Sequence, residues 1–498
     1  MNLLTILDMT ASALGERQAL GHRGEGPSYA DLREQAGAGG AFLQREASAT
    51  TIFVGPSGHA FVSAFFASNW ADVPFVPLNY RLATDQLHRL IEQMGPSVII
   101  SEPGFQAELT RPGRTVITTD EWCSIIDGPP PTPDGGAEVP ERFAVELFTS
   151  GTTAEPKAAV LEHSHLAAYI LGSVEFASAD ENEAALVSVP PYHIAGIANL
   201  LSNVFAGRRI IYLPTFEPRT WLDTVEREGV TQAMVVPTML ARIAEEMDGA
   251  TAATATLRTI SYGGARMPQT VLEQALSLFP DTGFVNAYGL TETSSSIAVL
   301  GPEDHRLAFE SNDATARQRL SSVGRVLPGI EIEIREGSHP VPPNSHGEIW
   351  VRGDQVSGRY ADGRSPCDEH GWFPTRDAGW IDEDGYLFIE GRTDDTIIRG
   401  GENIAPAEIE EVLMRHPAVL DVAVVGMPDE EWGQRITAAV VLRGGISVEP
   451  EELSEWTHRH LRTSKTAERV VIRQELPRTE TGKLLRRQVL AELLAELE

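Results

Sequence analysis

The chain has 498 residues, of which 40 are Lys or Arg and 71 are Asp or Glu, so its formal charge is −31. Hydrophobic residues make up 42% of the sequence, which excludes a mainly disordered protein. The negative charge disfavours partners that are held through phosphate groups, so we expect no nucleic-acid binding and no docking on an anionic membrane. The length predicts roughly three domain-sized units.

Cysteine usage and the N-terminus predict a cytoplasmic protein. Cys123 and Cys367 are too few to build a disulfide framework or a zinc site. The first arginine is Arg17, so no basic region precedes the apolar N-terminal residues and we expect no secretory signal. The longest apolar stretch, at residues 194–206, is too short to cross a bilayer, so we expect no stable membrane insertion. The sequence leaves open a monomer or a homodimer.

Residues 50–300 alternate short β-rich runs with helical patterns. This alternation is typical of βαβ units and predicts an α/β fold with doubly wound, mostly parallel sheets and helices on both faces. The expected strands are 51–54, 98–101, 147–150, 186–189, 209–213, 233–236 and 283–286. The expected helices include 221–228, 238–247 and 268–278, and a proline-rich loop is expected at 128–136.

The sequence pattern changes twice after residue 320. Short strands between glycine turns, expected at 331–335, 348–351 and 386–390, indicate a small antiparallel, β-barrel-like subdomain without helices. From Pro406 a compact α+β unit is expected, with helices at 406–415, 450–461 and 484–497 and strands at 422–425, 436–442 and 469–472.

The strongest chemical signal is the segment TSGTTAEPK at residues 149–157, which follows an expected strand. Its hydroxyl groups, backbone N–H groups and lysine suit the oxygens of a phosphate. It is not a Walker P-loop, because Pro156 precedes Lys157 and Ala158 follows it. The alternative interpretation is a polar surface turn.

This segment resembles the phosphate loop of the adenylate-forming enzymes, which include acyl-CoA synthetases, adenylation domains of peptide synthetases and firefly luciferase. Further segments match the motifs of that family in the same order and extend over most of the chain. They are PPYH at 190–193, YGGA at 262–265, NAYGLTE at 286–292, GWFPTRD at 371–377, GRTDD at 391–395, RGGENI at 399–404 and PRTETGK at 477–483. One such segment is a weak signal, whereas the ordered set is specific.

The resemblance implies a reaction, its ligands and a domain organisation. A carboxylic acid and ATP would form an acyl-adenylate and pyrophosphate with Mg²⁺, after which the thiol of coenzyme A would displace AMP. The implied domains are an N-terminal core at 1–393 and a mobile C-terminal domain at 394–498, with Asp394 as the hinge. Lys483 and Gly400 lie on the same small domain. Both would have to lie next to the same acyl carbon, one in each step, so we expect this domain to turn between the steps.

Joining a carboxylate to the α-phosphate brings one anion against another, so the site must supply positive charge and alignment. The resemblance assigns catalytic roles to Lys483 (carboxylate and α-phosphate), Thr291 (α-phosphate), Glu292 (Mg²⁺) and His193 (carboxylate pocket). A hard cation prefers oxygen ligands, which suits Glu292. The alternatives are that Lys483 is an ordinary surface lysine, that Glu292 is an acidic residue at a helix N-terminus and that His193 is a packing residue.

Three further sets of residues are implied to bind ligands. The phosphate loop supplies Thr149, Ser150, Gly151, Thr152, Thr153 and Lys157. Adenosine would contact Gly263, Gly264, Ala265, Tyr288 (stacked on adenine), Gly289, Asp377 (accepting the ribose hydroxyls) and Arg392. Coenzyme A would contact Gly400, Gly401 and Trp432. The alternatives are core packing for the aromatic residues, ordinary turns for Gly400 and Gly401, and a surface ion pair between Asp377 and Arg392.

Two residues depart from the family pattern. Ala154 and Arg376 stand where relatives carry glycine, so we expect retained activity with altered loop dynamics or nucleotide affinity.

The segment after His193 carries no carboxylate to pair with an α-ammonium group, which disfavours amino acids as substrates. Small residues would leave room for an apolar fatty, aromatic or polycyclic acid; they are Ala195, Gly196, Ala198, Gly263, Gly264 and Ala265.

Coenzyme A is favoured as the acceptor for two reasons. Only a short polar loop separates Tyr360 from Gly371, where fatty acyl-AMP ligases carry an insertion, and no carrier domain follows Lys483. The first alternative is transfer to the phosphopantetheine of a separate carrier protein. The second is a non-catalytic nucleotide-binding scaffold, which would require the loss of Lys483, Glu292 or Asp377.

Overall fold

The structure is a computed structural model that describes residues 1–129, 143–149, 157–247, 249, 254–400, 402–429, 432–479 and 482–496. The first sheet has six strands, which are β1 (Thr50–Val54), β2 (Phe75–Pro77), β3 (Ser97–Ser101), β4 (Thr115–Thr118), β5 (Phe143–Thr149) and β6 (Lys157–Glu162). Their order is β4-β3-β1-β2-β5-β6, and all pairs are parallel except β5 with β6.

Helices cover both faces of this sheet because alternate strand residues are apolar. Phe53 on β1 packs in one buried cluster, whereas its neighbours Ile52 and Val54 pack in another. The helices are α1 (Leu4–Leu14), α2 (Tyr29–Arg45), α3 (His59–Ala71), α4 (Thr84–Glu92), α5 (Pro103–Leu109) and α6 (Thr119–Ile126). Most of the expected loop at 128–136 lies outside the described residues.

The second sheet has seven strands, which are β7 (Ala184–Val187), β8 (Arg209–Tyr212), β9 (Gln232–Val235), β10 (Thr259–Gly263), β11 (Gly283–Leu290), β12 (Ser295–Leu300) and β13 (Arg325–Val326). Their order is β13-β12-β11-β10-β9-β7-β8, parallel from β8 to β11 and antiparallel at β12 and β13. The helices are α7 (His163–Ser173), α8 (Ile194–Ala206), α9 (Pro218–Glu228), α10 (Pro237–Glu246), α11 (Gln269–Leu278), α12 (Pro302–Glu310) and α13 (Ala314–Gln318).

The predicted α/β class is therefore confirmed, with small differences in the strand bounds. Strand β7 ends at Val187, two residues before the expected position, where its partner strand β8 also ends. Strand β5 begins earlier than expected, at Phe143, and Ser150 at its expected end lies outside the described residues.

The third sheet is antiparallel and matches the predicted small subdomain. Its strands are β14 (Ile330–Glu336), β15 (His339–Pro340), β16 (Gly347–Gly353), β17 (Phe373–Ile381) and β18 (Leu387–Arg392), in the order β15-β14-β16-β17-β18. Residues 322–392 are all described and contain no α-helix, as expected.

The elements that follow the 3₁₀ turn at Thr393–Asp395 have the predicted α+β character. They are β19 (Ile397–Arg399), β20 (Glu402–Ile404), α14 (Pro406–Met414), β21 (Val419–Asp429), β22 (Gly433–Leu442), α15 (Pro450–His460), β23 (Arg469–Arg473) and α16 (Arg486–Ala495). Strand β22 pairs antiparallel with β21 and parallel with β23. The helices α14 and α15 cover one face of this sheet and α16 covers the other. In the described part of the chain, no helix is both long and apolar enough to cross a membrane.

Candidate active site

Asp377 on β17 is a buried carboxylate that two side chains share. Tyr288 Oη donates to Oδ2 at 2.7 Å, and Arg392 Nη1 donates to Oδ1 at 3.2 Å. Arg392 directly faces Asp377 in the register of β17 and β18, which explains why two distant residues meet. Burial raises the pKa of Asp377, and the charge of Arg392, the phenol of Tyr288 and the charge of Lys483 oppose this rise. The result is an oriented acceptor that suits paired hydroxyl donors.

Tyr288 and Gly289 reach the site through a bulge near the end of β11, where the register with β12 shifts. A Cβ atom at Gly289 would lie 1.8 Å from the carbonyl oxygen of Ser295, so only glycine fits there. Ser294 and Ser295 then adopt positive φ values of 55° and 113°. Strained backbone of this kind is concentrated at functional sites. This tight return from β11 to β12 places Thr291 at the carboxyl end of the parallel strands, where α/β folds bind ligands.

Glu292 is held by Tyr360, a residue to which the sequence analysis assigned no role. Tyr360 Oη donates to Glu292 Oε1 at 2.8 Å, and Ser357 N–H donates to the carbonyl oxygen of Glu292 at 2.9 Å. Lys157 Nζ lies 5.7 Å from the centre of the Tyr360 ring, within the range of a cation–π contact. Burial and the Glu292 carboxylate both raise the pKa of Tyr360, which keeps the phenol a hydrogen-bond donor at neutral pH.

The segment expected to form the phosphate loop is described only at its two ends. Thr149 ends β5 and Lys157 begins β6, and Thr149 Oγ1 donates to the carbonyl oxygen of Lys157 at 3.2 Å. This hydrogen bond closes the base of the loop next to Tyr360. The remaining expected loop residues, together with the departure from the family pattern, lie outside the described residues; they are Ser150, Gly151, Thr152, Thr153 and Ala154.

The expected adenine segment, residues 262–265, begins in the last two residues of β10, the strand beside β11. A Cβ atom at Gly263 would lie 2.4 Å from the carbonyl oxygen of Ala287, so glycine permits this close strand contact. Gly264 has a φ of +80° and is exposed, and Ala265 is half-buried. The exposed backbone at Gly264 is therefore available beside Tyr288 to contact the flat adenine ring.

Lys483 lies on a compact loop between β23 and α16. Thr479 N–H donates to the carbonyl oxygen of Lys483 at 2.7 Å, and Lys483 N–H donates to Thr479 Oγ1 at 3.0 Å. Arg478 Nη1 donates to the carbonyl oxygen of Gly482 at 2.6 Å. The backbone that carries Lys483 is thus firmly braced, whereas its side chain is exposed.

The lysine loop docks on the N-terminal core. A Cβ atom at Gly482 would lie 2.8 Å from Oγ1 of Thr238, near the start of α10, so glycine permits this approach. The charge of Lys483 opposes the burial that raises the pKa of Asp377 and of Asp395. The small domain is therefore in the orientation that brings Lys483 to the nucleotide-site candidates.

Gly400 and Trp432 also lie together, on the exposed surface of the small domain. Gly400 N–H donates to the carbonyl oxygen of Trp432 at 2.9 Å, and Gly400 has a φ of +57°. Trp432 is 44% exposed, so the alternative that it is a core residue is wrong. The neighbouring Ile398 is 58% exposed, and Gly401 lies outside the described residues. In this orientation the surface expected to meet coenzyme A faces solvent.

The donor set around Glu292 fits Mg²⁺ in a nucleotide site. Among the residues that the structure describes, no three His, Cys, Asp or Glu side chains form a metal-binding group. Mg²⁺ in such sites takes one or two carboxylates and completes its shell with phosphate oxygens and water. One half-buried carboxylate, oriented by Tyr360, is what this arrangement requires.

His193 is the residue that directly precedes α8, and the centre of its ring lies 4.7 Å from that of the Tyr192 ring, with the two planes tilted by 53°. Burial lowers the pKa of His193 from 6.5 to about 4, so the imidazole is neutral at pH 7. A neutral imidazole beside an acid pocket can donate one hydrogen bond without adding charge.

The lowered pKa of His193 predicts a pH dependence of stability. Between pH 6.5 and about 4 the unfolded chain binds more protons at this site, so the stabilisation is complete above pH 6.5 and is lost as the pH falls towards 4. Urea unfolding of His193→Gln should therefore show a shallower loss of unfolding free energy over this range. Part of the loss should remain, because burial also lowers the pKa of His163 and His305 to about 4.

His458→Gln, at an exposed position on α15, provides the matched control for the substitution itself. An unchanged profile for His193→Gln would contradict the assignment of a buried neutral imidazole.

Comparison with known proteins agrees with this geometry. The AMP-binding enzyme family matches residues 7–361, and the AMP-binding enzyme C-terminal domain matches residues 408–483. A feruloyl-CoA synthase of Amycolatopsis sp is 32% identical over 88% of this chain and 87% of its own length. A fatty acid–[acyl-carrier-protein] ligase of Streptomyces coeruleorubidus is 30% identical over 88% and 85%.

The solved structures extend the likeness to almost the whole chain. The o-succinylbenzoate CoA synthetase of Bacillus subtilis, in complex with its acyl-adenylate intermediate, has a TM-score of 0.83 and 28% identity, and the match covers 97% of each chain. With both family domains matched in order, the chain belongs to the AMP-binding, adenylate-forming enzymes.

Proposed function

We propose that this enzyme is an AMP-forming carboxylic acid–CoA ligase. The observation that carries the proposal is the docking of the Lys483 loop on the N-terminal core. In this position the positive charge of Lys483 opposes the rise in the pKa of Asp377 that burial causes. Glu292 is oriented in the same structure by its hydrogen bond from Tyr360. ATP, CoA and a small acid are the ligands, and we place the enzyme in the cytoplasm, where both cofactors are abundant. The feruloyl-CoA and o-succinylbenzoate relatives support the reaction class.

In the first step a carboxylate oxygen attacks the α-phosphorus of ATP, and the bond to the β-phosphate oxygen breaks to release pyrophosphate. Asp377 would hold the ribose, and Lys483 would bridge the carboxylate and the α-phosphate as charge moves between them. Thr291 would donate its hydroxyl to the α-phosphate. Mg²⁺, held by Glu292, would supply charge to the leaving phosphates.

In the second step coenzyme A loses its thiol proton to solvent, the thiolate sulfur attacks the acyl carbon, and the C–O bond to AMP breaks so that AMP leaves with the electron pair. The exposed turn at Gly400 beside Trp432 supports delivery of the thiol by this surface. Glycine at 400 is needed for its positive φ, and a Cβ atom there would lie 3.1 Å from the Trp432 ring. Because this surface faces solvent while Lys483 is docked, the small domain would have to turn before the second step.

The face of α8 that remains partly exposed supports a site for the acid. Ala195, Asn199 and Ser202 repeat with helical spacing and are half-buried, whereas Ala198 is buried. The small residue Gly196, expected to give room to the acid, instead packs on the chain: a Cβ atom there would lie 2.7 Å from the carbonyl oxygen of Pro190.

This face carries two polar side chains, those of Asn199 and Ser202. Asn199 Nδ2 donates to Met234 Sδ at 3.6 Å, and a thioether is a weak acceptor. The arrangement favours an apolar acid, fatty or aromatic, whose tail also carries an oxygen acceptor near Asn199.

The carrier-protein alternative rests on the same chemistry, since both acceptors present a phosphopantetheine thiol. The Streptomyces coeruleorubidus relative is named for such a transfer. The two relatives named above as CoA enzymes favour coenzyme A as the acceptor here.

We expect Asp394→Pro to spare adenylation and to slow thioester formation by at least roughly tenfold, because losing one orientation adds more than ~1.4 kcal/mol to that step. Thr396 N–H donates to the carbonyl oxygen of Thr393 at 3.4 Å, so Asp394 occupies the second position of a turn, which proline accepts. Proline would then fix the linker in the orientation described here. Stopped-flow measurement of the two half-reactions decides the matter.

Asp394 also lies near two arginines, with Arg392 Nε at 3.8 Å and Arg487 Nη2 at 3.6 Å. Asp394→Ala is the control, because it removes these ion pairs and leaves the backbone free. If the alanine and proline variants behave alike, Asp394 acts through its charge and the pivot lies elsewhere.

The function is tested by pyrophosphate release from ATP with a panel of acids, each with and without coenzyme A. Ferulic, cinnamic and fatty acids should support release, and AMP and acyl-CoA should accumulate when coenzyme A is present. Phenylalanine differs from 3-phenylpropanoic acid by its α-ammonium group and should be inactive where the latter is active. Acyl transfer to a holo carrier protein but not to coenzyme A would instead establish the alternative acceptor.

A further inference from the structure

Arg266 forms an ion pair that joins the N-terminal core to the C-terminal domain. It directly follows the segment expected to contact adenine, and its Nη2 donates to Oε2 of Glu411 on α14 at 2.6 Å. The other oxygen of this carboxylate, Oε1, accepts from Arg415 Nη2 at 2.6 Å, one turn further along the chain. Each oxygen of Glu411 therefore has its own guanidinium, one across the domain boundary and one within the small domain.

The surfaces beside this ion pair leave a gap between the domains. A cavity of about 210 Å³ lies between the core strands β17 and β18 and the helix α14. Two other carboxylates that line it have partners within their own domains, Glu390 with His346 and Glu408 with Lys465. Surfaces that meet through an ion pair beside a gap can separate without disrupting a close-packed apolar core.

The position of the ion pair links it to the docking of Lys483. Glu411 and Lys483 both follow the turn at Thr393–Asp395, whereas Arg266 belongs to the core. Rotation of the small domain about this turn would carry Glu411 away from Arg266 as it carries Lys483 away from the core. A contact made in one orientation only shifts the equilibrium towards that orientation by its own free energy.

We propose that Arg266 and Glu411 are positioning residues, whose ion pair holds the small domain in the orientation for adenylation and breaks before the thioester step. The proposal rests on the function proposed above and on its domain movement. The two side chains are 44% and 28% exposed, so water screens the pair, and its expected effect is about a two- to fivefold shift in the ratio of the orientations. A contact that breaks in every catalytic cycle has to be of this modest strength.

The ratio of the two orientations can be measured without any substrate. Cys123 and Cys367 are first replaced by serine. Spin labels are then attached at Leu307→Cys on α12 of the core and at Glu455→Cys on α15 of the small domain, both exposed positions. Pulsed dipolar spectroscopy gives the fraction of molecules that have the label-to-label distance of the docked orientation.

We expect Arg266→Gln and Glu411→Gln each to lower the ratio of docked to undocked molecules about two- to fivefold, and the double variant to lower it no further. Arg266→Lys keeps the charge and should stay within about twofold of the wild type. Arg266→Glu sets two carboxylates against each other and should lower the ratio more than Arg266→Gln does. Arg415→Gln is the matched control, because it removes only the ion pair within the small domain, and it should leave the ratio unchanged.

The same shift should appear in the two half-reactions at saturating ATP and coenzyme A. The rate of thioester formation divided by the rate of adenylation should rise by the same factor in Arg266→Gln and in Glu411→Gln. A change confined to the adenine segment would instead alter the KM for ATP in Arg266→Gln and leave Glu411→Gln as the wild type, which would contradict the proposal.

Unchanged docked fractions in Arg266→Gln, Glu411→Gln and Arg266→Glu would overturn the proposal, and so would a loss in Arg415→Gln as large as that in Glu411→Gln. Failure of the proposed function is a different result, namely a wild-type enzyme that releases no pyrophosphate with any acid. The distance measurement would then still decide whether this ion pair holds the small domain on the core.

Discussion

Lys483→Ala should lower the rate of acyl-adenylate formation by about 10²–10³-fold, because the lost charge acts on the negative charge that develops between the carboxylate and the α-phosphate. The structure supports this role, since the loop that carries Lys483 docks on Thr238. The positive charge of Lys483 also opposes the rise in the pKa of Asp377 that burial causes. Pyrophosphate release measured in single turnovers reports this step directly.

The second half-reaction provides the internal control for Lys483→Ala. Conversion of a supplied acyl-adenylate to the thioester should be largely spared, because Lys483 would no longer face the acyl carbon. Lys465→Ala is the matched lysine control on the same domain, where Lys465 pairs with Glu408. Equal losses in both half-reactions would contradict the assignment of Lys483 to adenylation.

Asp377→Ala should raise the KM for ATP by about 10²-fold and that for the acid much less. Two hydrogen bonds from ribose hydroxyls to a carboxylate contribute about 1.5–3 kcal/mol each, so the loss of both is large. The variant should also be less stable, because the phenol of Tyr288 and the guanidinium of Arg392 lose their shared acceptor.

The two effects of Asp377→Ala can be separated with Tyr288→Phe. This variant removes the hydrogen bond from Oη and keeps the carboxylate and its pair with Arg392. It should lose part of the stability with a smaller change in the KM for ATP. An Asp377→Ala enzyme with unchanged ATP dependence would show that the ribose is held elsewhere.

The sequence predicted the site best where local chemistry and strand pairing agree. Asp377 and Arg392 were expected to act together, and the antiparallel register of β17 and β18 places them opposite each other. The strands β1, β3, β9 and β11 were expected because apolar β-branched runs between helical patterns specify a parallel sheet.

Contacts between distant segments could not be predicted from the sequence. Tyr360 and Glu292 are 68 positions apart, and they meet only because residues 357–361 pair with β6 and with the turn after β11. Gly482 and Thr238 lie on different domains, and no periodic pattern in the sequence predicts their contact. The packing of Gly196 on Pro190 determines which face of α8 stays half-buried. The run of small residues in the sequence therefore did not identify that face.

Following the carboxylate oxygen tests the central claim most directly. An accepted acid labelled with ¹⁸O in both carboxylate positions is converted to its CoA thioester, and the AMP is examined by mass spectrometry. If the carboxylate attacks the α-phosphorus and the thiol then breaks the acyl C–O bond, each AMP carries one ¹⁸O atom. Unlabelled AMP, with the label in pyrophosphate or in phosphate instead, would contradict the acyl-adenylate mechanism.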